Sequence, residues 1–422
     1  MKTLARIGVC LGLAFATLAG TMSVAFAHGE KAQEPFLRMR TIHWFDVEWT
    51  KETLAVNDVM SIKGKFKVAP KSSWPQATAQ PSLAFINVSI PGPVFHRLGS
   101  WSNGVNMANS GSFELNKIYD FKVDLMARYP GRWHMHAMLN IKDAGPVIGP
   151  GKFITVTGKH ADFLHEVKTL TNETVNVDTY AFANNVFWHS VWALFAVAWL
   201  VFWLVRPLFF SRYRMVEAGR GNELNSRFDK LVGLCVLVGS IALTVVGYVQ
   251  AETRWPVTLP LQSALASVEP IEMEANQIKI RLKRAEYRVP GREMAMIVEA
   301  TNNSNQPVRL GEFATATVRF INPSVGSSKT EGYPDYLLAE NGLSTSDDSP
   351  LQPGETRTFQ VNAQDAAFET ERLSSLIFDP DSAFGGLLYF YAADGTRMIS
   401  DVGGTLVPVF VNSAGKDLGQ IN

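Results

Sequence analysis

The sequence predicts a mainly β protein with a transmembrane helical hairpin, its two antiparallel β-sandwiches both lying on the extracytoplasmic side. Three observations carry this. Two runs, residues 186–205 and 231–249, stay apolar over the ~20 residues that a bilayer crossing requires. On either side of them lie short β-type runs punctuated by Gly, Pro and Asn, the texture of a sandwich. The chain also opens on a secretory signal pattern.

In order along the chain, residues 1–27 combine Lys2 and Arg6, an apolar stretch at 7–19 and an Ala25-Phe26-Ala27 cleavage signature. Cleavage there makes His28 the first mature residue. Residues 28–180 form the first exported domain, with strands expected at 60–68, 83–90, 118–125, 133–141 and 153–157. Residues 181–251 hold the two spans and the loop 206–230, where Arg206, Arg212, Arg214, Arg220, Arg227 and Lys230 outnumber Glu217, Glu223 and Asp229. The positive-inside rule places this loop in the cytoplasm, which agrees with export of what precedes it. Residues 252–422 repeat the first texture, with strands expected at 277–282, 294–300, 316–321, 356–361 and 386–392.

Composition narrows the function. Basic and acidic side chains balance at 39 each, against a hydrophobic content of 46%, which excludes a nucleic-acid binder and a disordered tail. The two cysteines, Cys10 and Cys235, fall in apolar segments, so zinc-ribbon, iron–sulfur and disulfide scaffolds are excluded. Any metal is held by histidine, carboxylate or backbone. Walker A, G-x-S-x-G and H-E-x-x-H patterns do not occur.

All eight histidines precede residue 190, so the second exported domain has neither His nor Cys. His134 and His136 sit inside an expected strand, where residues i and i+2 share a face and set two imidazoles side by side. A mature amino-terminal His28 adds its imidazole and its α-amine, which chelate one ion together. Four nitrogens suit tetragonal Cu(II), with a tetrahedral zinc site as the alternative. The absent thiolate excludes a blue-copper carrier. His43, among aromatics, is a secondary ligand candidate or a packed core residue. His96, His160 and His165 read as surface or solvated residues, and His189 as an interfacial one.

These residues resemble the B subunits of the copper-dependent particulate methane and ammonia monooxygenases. The similarity rests on HGEK at 28–31, FLRMRT at 36–41, PGRWHMH at 130–136, GPVIGPG at 145–151, LGEF at 310–313 and DPDS at 379–382. It covers essentially the mature chain. The resemblance implies sandwiches of cupredoxin type and a trimer of protomers built with A and C subunits in the inner or intracytoplasmic membrane, both β-domains being periplasmic. It implies a copper site at His28, His134 and His136. A second copper, near a histidine matching His43, is helped in some members by a glutamine; here that position is Asp401. Lys67 replaces a histidine found in certain methane oxidisers, which argues against a dinuclear arrangement.

The implied reaction inserts one atom of O₂ into an N–H or C–H bond, giving hydroxylamine from ammonia or methanol from methane, while two electrons reduce the other atom to water. Residues 134–146 resemble ammonia oxidisers more and tilt the substrate that way, whereas residues 41–44 also resemble methane oxidisers. The catalytic centre is expected in partner subunits. A membrane-anchored copper-binding or copper-delivery module without oxygenase activity is the alternative from another class.

Overall fold

The computed structural model describes residues 35–75, 78–169, 172–206, 209–255, 265–271, 277–289, 292–325, 332–371, 373 and 381–410. The expected signal segment and His28 lie outside them. The chain divides into two compact units, one including residues 164–261 and the other residues 27–163 with 262–422. Residues 164–180, assigned from sequence to the first exported domain, therefore group with the helices.

In the larger unit the chain starts with a short helix, α1 (Pro35–Arg40), that leads into strand β1 (Ile42–Trp49). The main strands of the first sandwich are then β2 (Val59–Val68), β3 (Leu83–Ser89), β4 (Phe95–Ser102), β5 (Ile118–Ala127), β6 (Gly131–Ile141) and β7 (Gly145–Thr157). One sheet runs β1-β2-β5-β4 and the other carries β3-β6-β7, with short strands completing the edges. Alternation drives this packing: Met135, Ala137, Leu139 and Ile141 of β6 point into a core shared with Phe66, Tyr119, Phe121 and Leu125. The opposite face of β6 is left for His134 and His136.

The second sandwich uses β8 (Ile278–Val289), β9 (Glu293–Asn302), β10 (Val308–Thr315), β11 (Val318–Ile321), β12 (Thr356–Gln364), β13 (Ala383–Ala392) and β14 (Arg397–Thr405). Its sheets run β12-β9-β8 and β11-β10-β13-β14, again with short edge strands. Its core contains Phe313, Phe320, Phe368, Phe384 and Phe390, and also Met39 from α1. The segment that precedes the first sandwich is thus built into the second. Arg38 and Arg40 flank that insertion, ion-paired to Glu371 at 2.9 Å and to Asp381 at 3.0 Å. A smaller apolar seam of Phe45, Ile118, Leu387, Tyr389 and Tyr391 lies between the sandwiches. Beside it, Arg397 grips Asp46 through two hydrogen bonds of 2.7 and 2.6 Å.

The smaller unit contains α2 (Phe182–Leu204), α3 (Phe209–Glu217) and α4 (Arg227–Arg254). Helices α2 and α4 are long and apolar enough to cross a membrane. Helix α4 exceeds its apolar run at both ends, and α2 begins before its run and ends one residue short of it. At the start of α4, Ser226 Oγ accepts from Asp229 N and Asp229 Oδ2 accepts from Ser226 N, a capping box. The pair is pinned near one end by Trp188 Nε1 donating to Gln250 Oε1 at 2.7 Å, and at the other by Arg206 paired with Asp229. Cys235 is exposed on α4.

Candidate metal centre

The local register of β6 and β7 builds the histidine pair. His136 lies opposite Gly151, and His134 opposite Phe153. Opposite a glycine there is no side chain, so the His136 ring can fold over the neighbouring backbone; a Cβ at Gly151 would lie 2.3 Å from its Cε1. Opposite a phenylalanine the His134 ring stacks, with centroids 4.6 Å apart and planes at 23°. The two imidazole centroids stand 4.5 Å apart. His136 is buried, at 6% exposure, and His134 is partly exposed.

Hydrogen bonds sort the ring nitrogens. His136 Nδ1 lies 2.8 Å from the Gly149 carbonyl, which only accepts, so Nδ1 carries the proton and Nε2 the lone pair of the neutral ring. His134 Nε2 lies 3.0 Å from Tyr336 Oη, and that hydroxyl lies 2.8 Å from the Gly151 carbonyl. A phenol has one proton, which goes to Gly151, so His134 Nε2 donates to Tyr336 and the lone pair sits on Nδ1. Carbonyls of one glycine-rich strand and a tyrosine of the other sandwich therefore orient the two imidazoles. The register irregularity between Ile148 and Gly151 brings both carbonyls into reach.

His43 behaves differently. It is buried on β1, its Nδ1 has no hydrogen-bond partner among the described residues, and burial pushes its pKa down to about 4, with Asp401 opposing the shift and Lys67 adding to it. Lys67 lies beside it in register, and its ammonium pairs with the Asp401 carboxylate. The cavity that His43, Lys67 and Asp401 line, about 530 Å³, also holds Arg40. The Asp401 carboxylate, expected to help a second ion near His43, is here engaged by an ammonium. Among the described residues, no group of three or more His, Cys, Asp or Glu can hold a metal, so the pair at β6 needs a further ligand from elsewhere.

Two other histidines depart from expectation. His160 stacks on Tyr129, with centroids 3.8 Å apart, and His165 is buried. His160 Nδ1 also lies 3.2 Å from the Arg128 carbonyl, so a backbone acceptor is within reach of the stacked ring.

A family model for the B-subunit protein of monooxygenases matches residues 29–410. The chain belongs to this monooxygenase B-subunit family. The "Particulate methane monooxygenase alpha subunit" of Methylococcus capsulatus is 47% identical to it over 388 residues, 92% of this chain and 93% of that protein. Among solved structures, the cupredoxin domain of amoB from Nitrosocaldus yellowstonii is 20% identical, with a TM-score of 0.25, and aligns with 29% of this chain and 91% of that domain. A PapD-like domain of human CEP192 is 11% identical, with a TM-score of 0.18, over 36% of this chain and 100% of that domain.

Membership makes this monooxygenase subunit part of an oxidoreductase complex. The residues present fit a copper ion of the kind that the family implies: two imidazoles share one face, each with one nitrogen turned to a carbonyl or a phenol. Sequence reasoning finds His134 and His136 and misses Gly149, Gly151, Phe153 and Tyr336, which position their rings. Pairing β6 with the glycine-rich run after it would have exposed the first three. Nothing local points to Tyr336.

Proposed function

We propose that this chain is the B subunit of a membrane-bound copper monooxygenase and that its first sandwich holds copper through His28, His134 and His136. The observation that carries this reading is the pair of prepared imidazoles on β6. His28 lies seven residues before α1, and α1 packs on β7. A chain of seven residues spans up to about 25 Å, long enough to deliver the amino terminus to the pair. The bound copper supplies one-electron redox chemistry. His136, held through Nδ1 by Gly149, would offer Nε2 to the ion, His134 would offer Nδ1, and the His28 α-amine and imidazole would make up four nitrogens.

The complex consumes O₂, two electrons and two protons to hydroxylate its substrate and release one water. The name of the Methylococcus capsulatus relative supports methane, giving methanol; residues 134–146 support ammonia, giving hydroxylamine. Helices α2 and α4 cross the inner or intracytoplasmic membrane twice, the basic loop between them facing the cytoplasm and both sandwiches facing the periplasm. The A and C subunits complete the protomer, three of which associate.

Membranes assayed in parallel with both substrates decide between them. Copper content and EPR of the purified complex are expected to fall sharply in His134→Ala/His136→Ala; unchanged copper would remove the assignment. Mass spectrometry of the mature chain tests the amino terminus, and a start other than His28 breaks the four-nitrogen set.

A further inference from the structure

The second sandwich has no histidine or cysteine, yet one of its side chains touches the histidine pair. Tyr336 sits in a single 3₁₀ turn, Asp335–Leu337. Its hydroxyl accepts from His134 Nε2 and donates to the Gly151 carbonyl, at 3.0 and 2.8 Å. The same turn region is fastened to β7 a second time, because Lys152 Nζ donates to the Gly332 carbonyl at 2.8 Å while pairing with Glu52. Two contacts from one loop thus reach the stretch of β7 that cradles His136.

We propose that Tyr336 is a positioning residue for the copper of the first sandwich, holding His134 so that Nδ1 is its ligand nitrogen. This rests on the copper reading given above. His134 is fixed in plane by its stack on Phe153, but a stack leaves the ring free to exchange its two nitrogens by a half-turn. The phenol removes that freedom. It recognises Nε2 by its proton, and the Gly151 carbonyl recognises the phenol by the same means, so the chain of bonds has a single direction. His136 is fixed the other way round, through Nδ1, by Gly149. One Nδ1 and one Nε2 donor, set 4.5 Å apart between ring centroids, make an unsymmetrical pair whose geometry depends on the docked second sandwich. Partners that orient a metal-bound histidine commonly change metal affinity by 10–100-fold.

The test is Tyr336→Phe in the complete purified complex, beside wild type and His134→Ala/His136→Ala. Tyr336→Phe keeps the ring and removes only the hydroxyl. Competition with a copper chelator is expected to show about tenfold weaker retention, and the copper EPR spectrum is expected to change its hyperfine splitting. Chelator resistance and EPR identical to wild type in Tyr336→Phe, with copper lost in the histidine double variant, would overturn this proposal and leave the copper reading standing. Copper retained in the histidine double variant overturns both. An altered melting temperature of the copper-free protein with an unchanged spectrum makes Tyr336 a structural contact only and also overturns the proposal.

Discussion

At the scale of single residues, the centre depends on a missing side chain as much as on those present. Gly151→Ala would place a methyl carbon 2.3 Å from Cε1 and 2.6 Å from Nε2 of His136. The ring has to move, and the nitrogen it offers moves with it. The expected outcome is a loss of about 1–3 kcal/mol in stability with markedly reduced copper content, read by thermal melting and metal analysis.

His43 makes a different prediction at the same scale. Its pKa falls to about 4 from an ordinary 6.5, chiefly by burial and further through Lys67, with Asp401 opposing. Below pH 6.5 the unfolded chain takes up a proton that the folded one refuses, so the stability present at neutral pH is lost as pH falls from 6.5 toward 4. The full difference is about 3 kcal/mol. Melting temperature is therefore expected to drop across that window, and His43→Gln to flatten the drop; an equal slope in both proteins would contradict it.

At the scale of elements, strand interiors are legible in the sequence and strand interruptions are not. Expected strands at 60–68 and 118–125 correspond to Val59–Val68 and Ile118–Ala127, where apolar residues alternate cleanly. The expected 153–157 is the tail of Gly145–Thr157, whose first half carries Gly145, Pro146, Gly149, Pro150 and Gly151 and so reads as a turn. Gly149 and Pro150 fall in the register irregularity between Ile148 and Gly151, which relieves the pairing that Pro150 would spoil. In Ile42–Trp49 the first four residues are all buried, so the alternation that marks a half-buried strand begins only at Asp46. In the helical unit, the capping box at Ser226 sets where α4 begins. Ser226→Ala is expected to cost about 1 kcal/mol and to fray that first turn, measurable by amide exchange of residues 227–230 in detergent.

At the scale of the molecule, what the sequence could not display is how the sandwiches meet. Tyr336 and His134 are 202 positions apart, and no period or motif links them. Likewise Asp46, with φ at 51°, turns its carboxylate to Arg397 on the other sandwich. Burial alone would lower that guanidinium, yet hydrogen bonds and charge from Asp46 hold it above its ordinary value. Asp46→Asn keeps a side chain that tolerates this backbone and strips the charge, leaving Arg397 without its counter-ion. The expected loss is about 2 kcal/mol, with the two sandwiches still melting in one transition. Met39→Ala is expected to cost about 2–5 kcal/mol and to raise protease sensitivity in residues 278–405, although the change lies before the first sandwich.

That last contact sets an order of assembly. Met39 leaves the ribosome before any strand of the sandwich that receives it has been made. At ordinary rates of synthesis the wait is on the order of ten seconds or more, spanning the production of both apolar helices. Throughout it the 35–40 segment carries an unburied methionine between two arginines, while a newly made second sandwich has a vacant slot where that residue belongs. A slot and a plug made so far apart in time are open to exchange between neighbouring copies, since the same contacts form whichever chain supplies the plug.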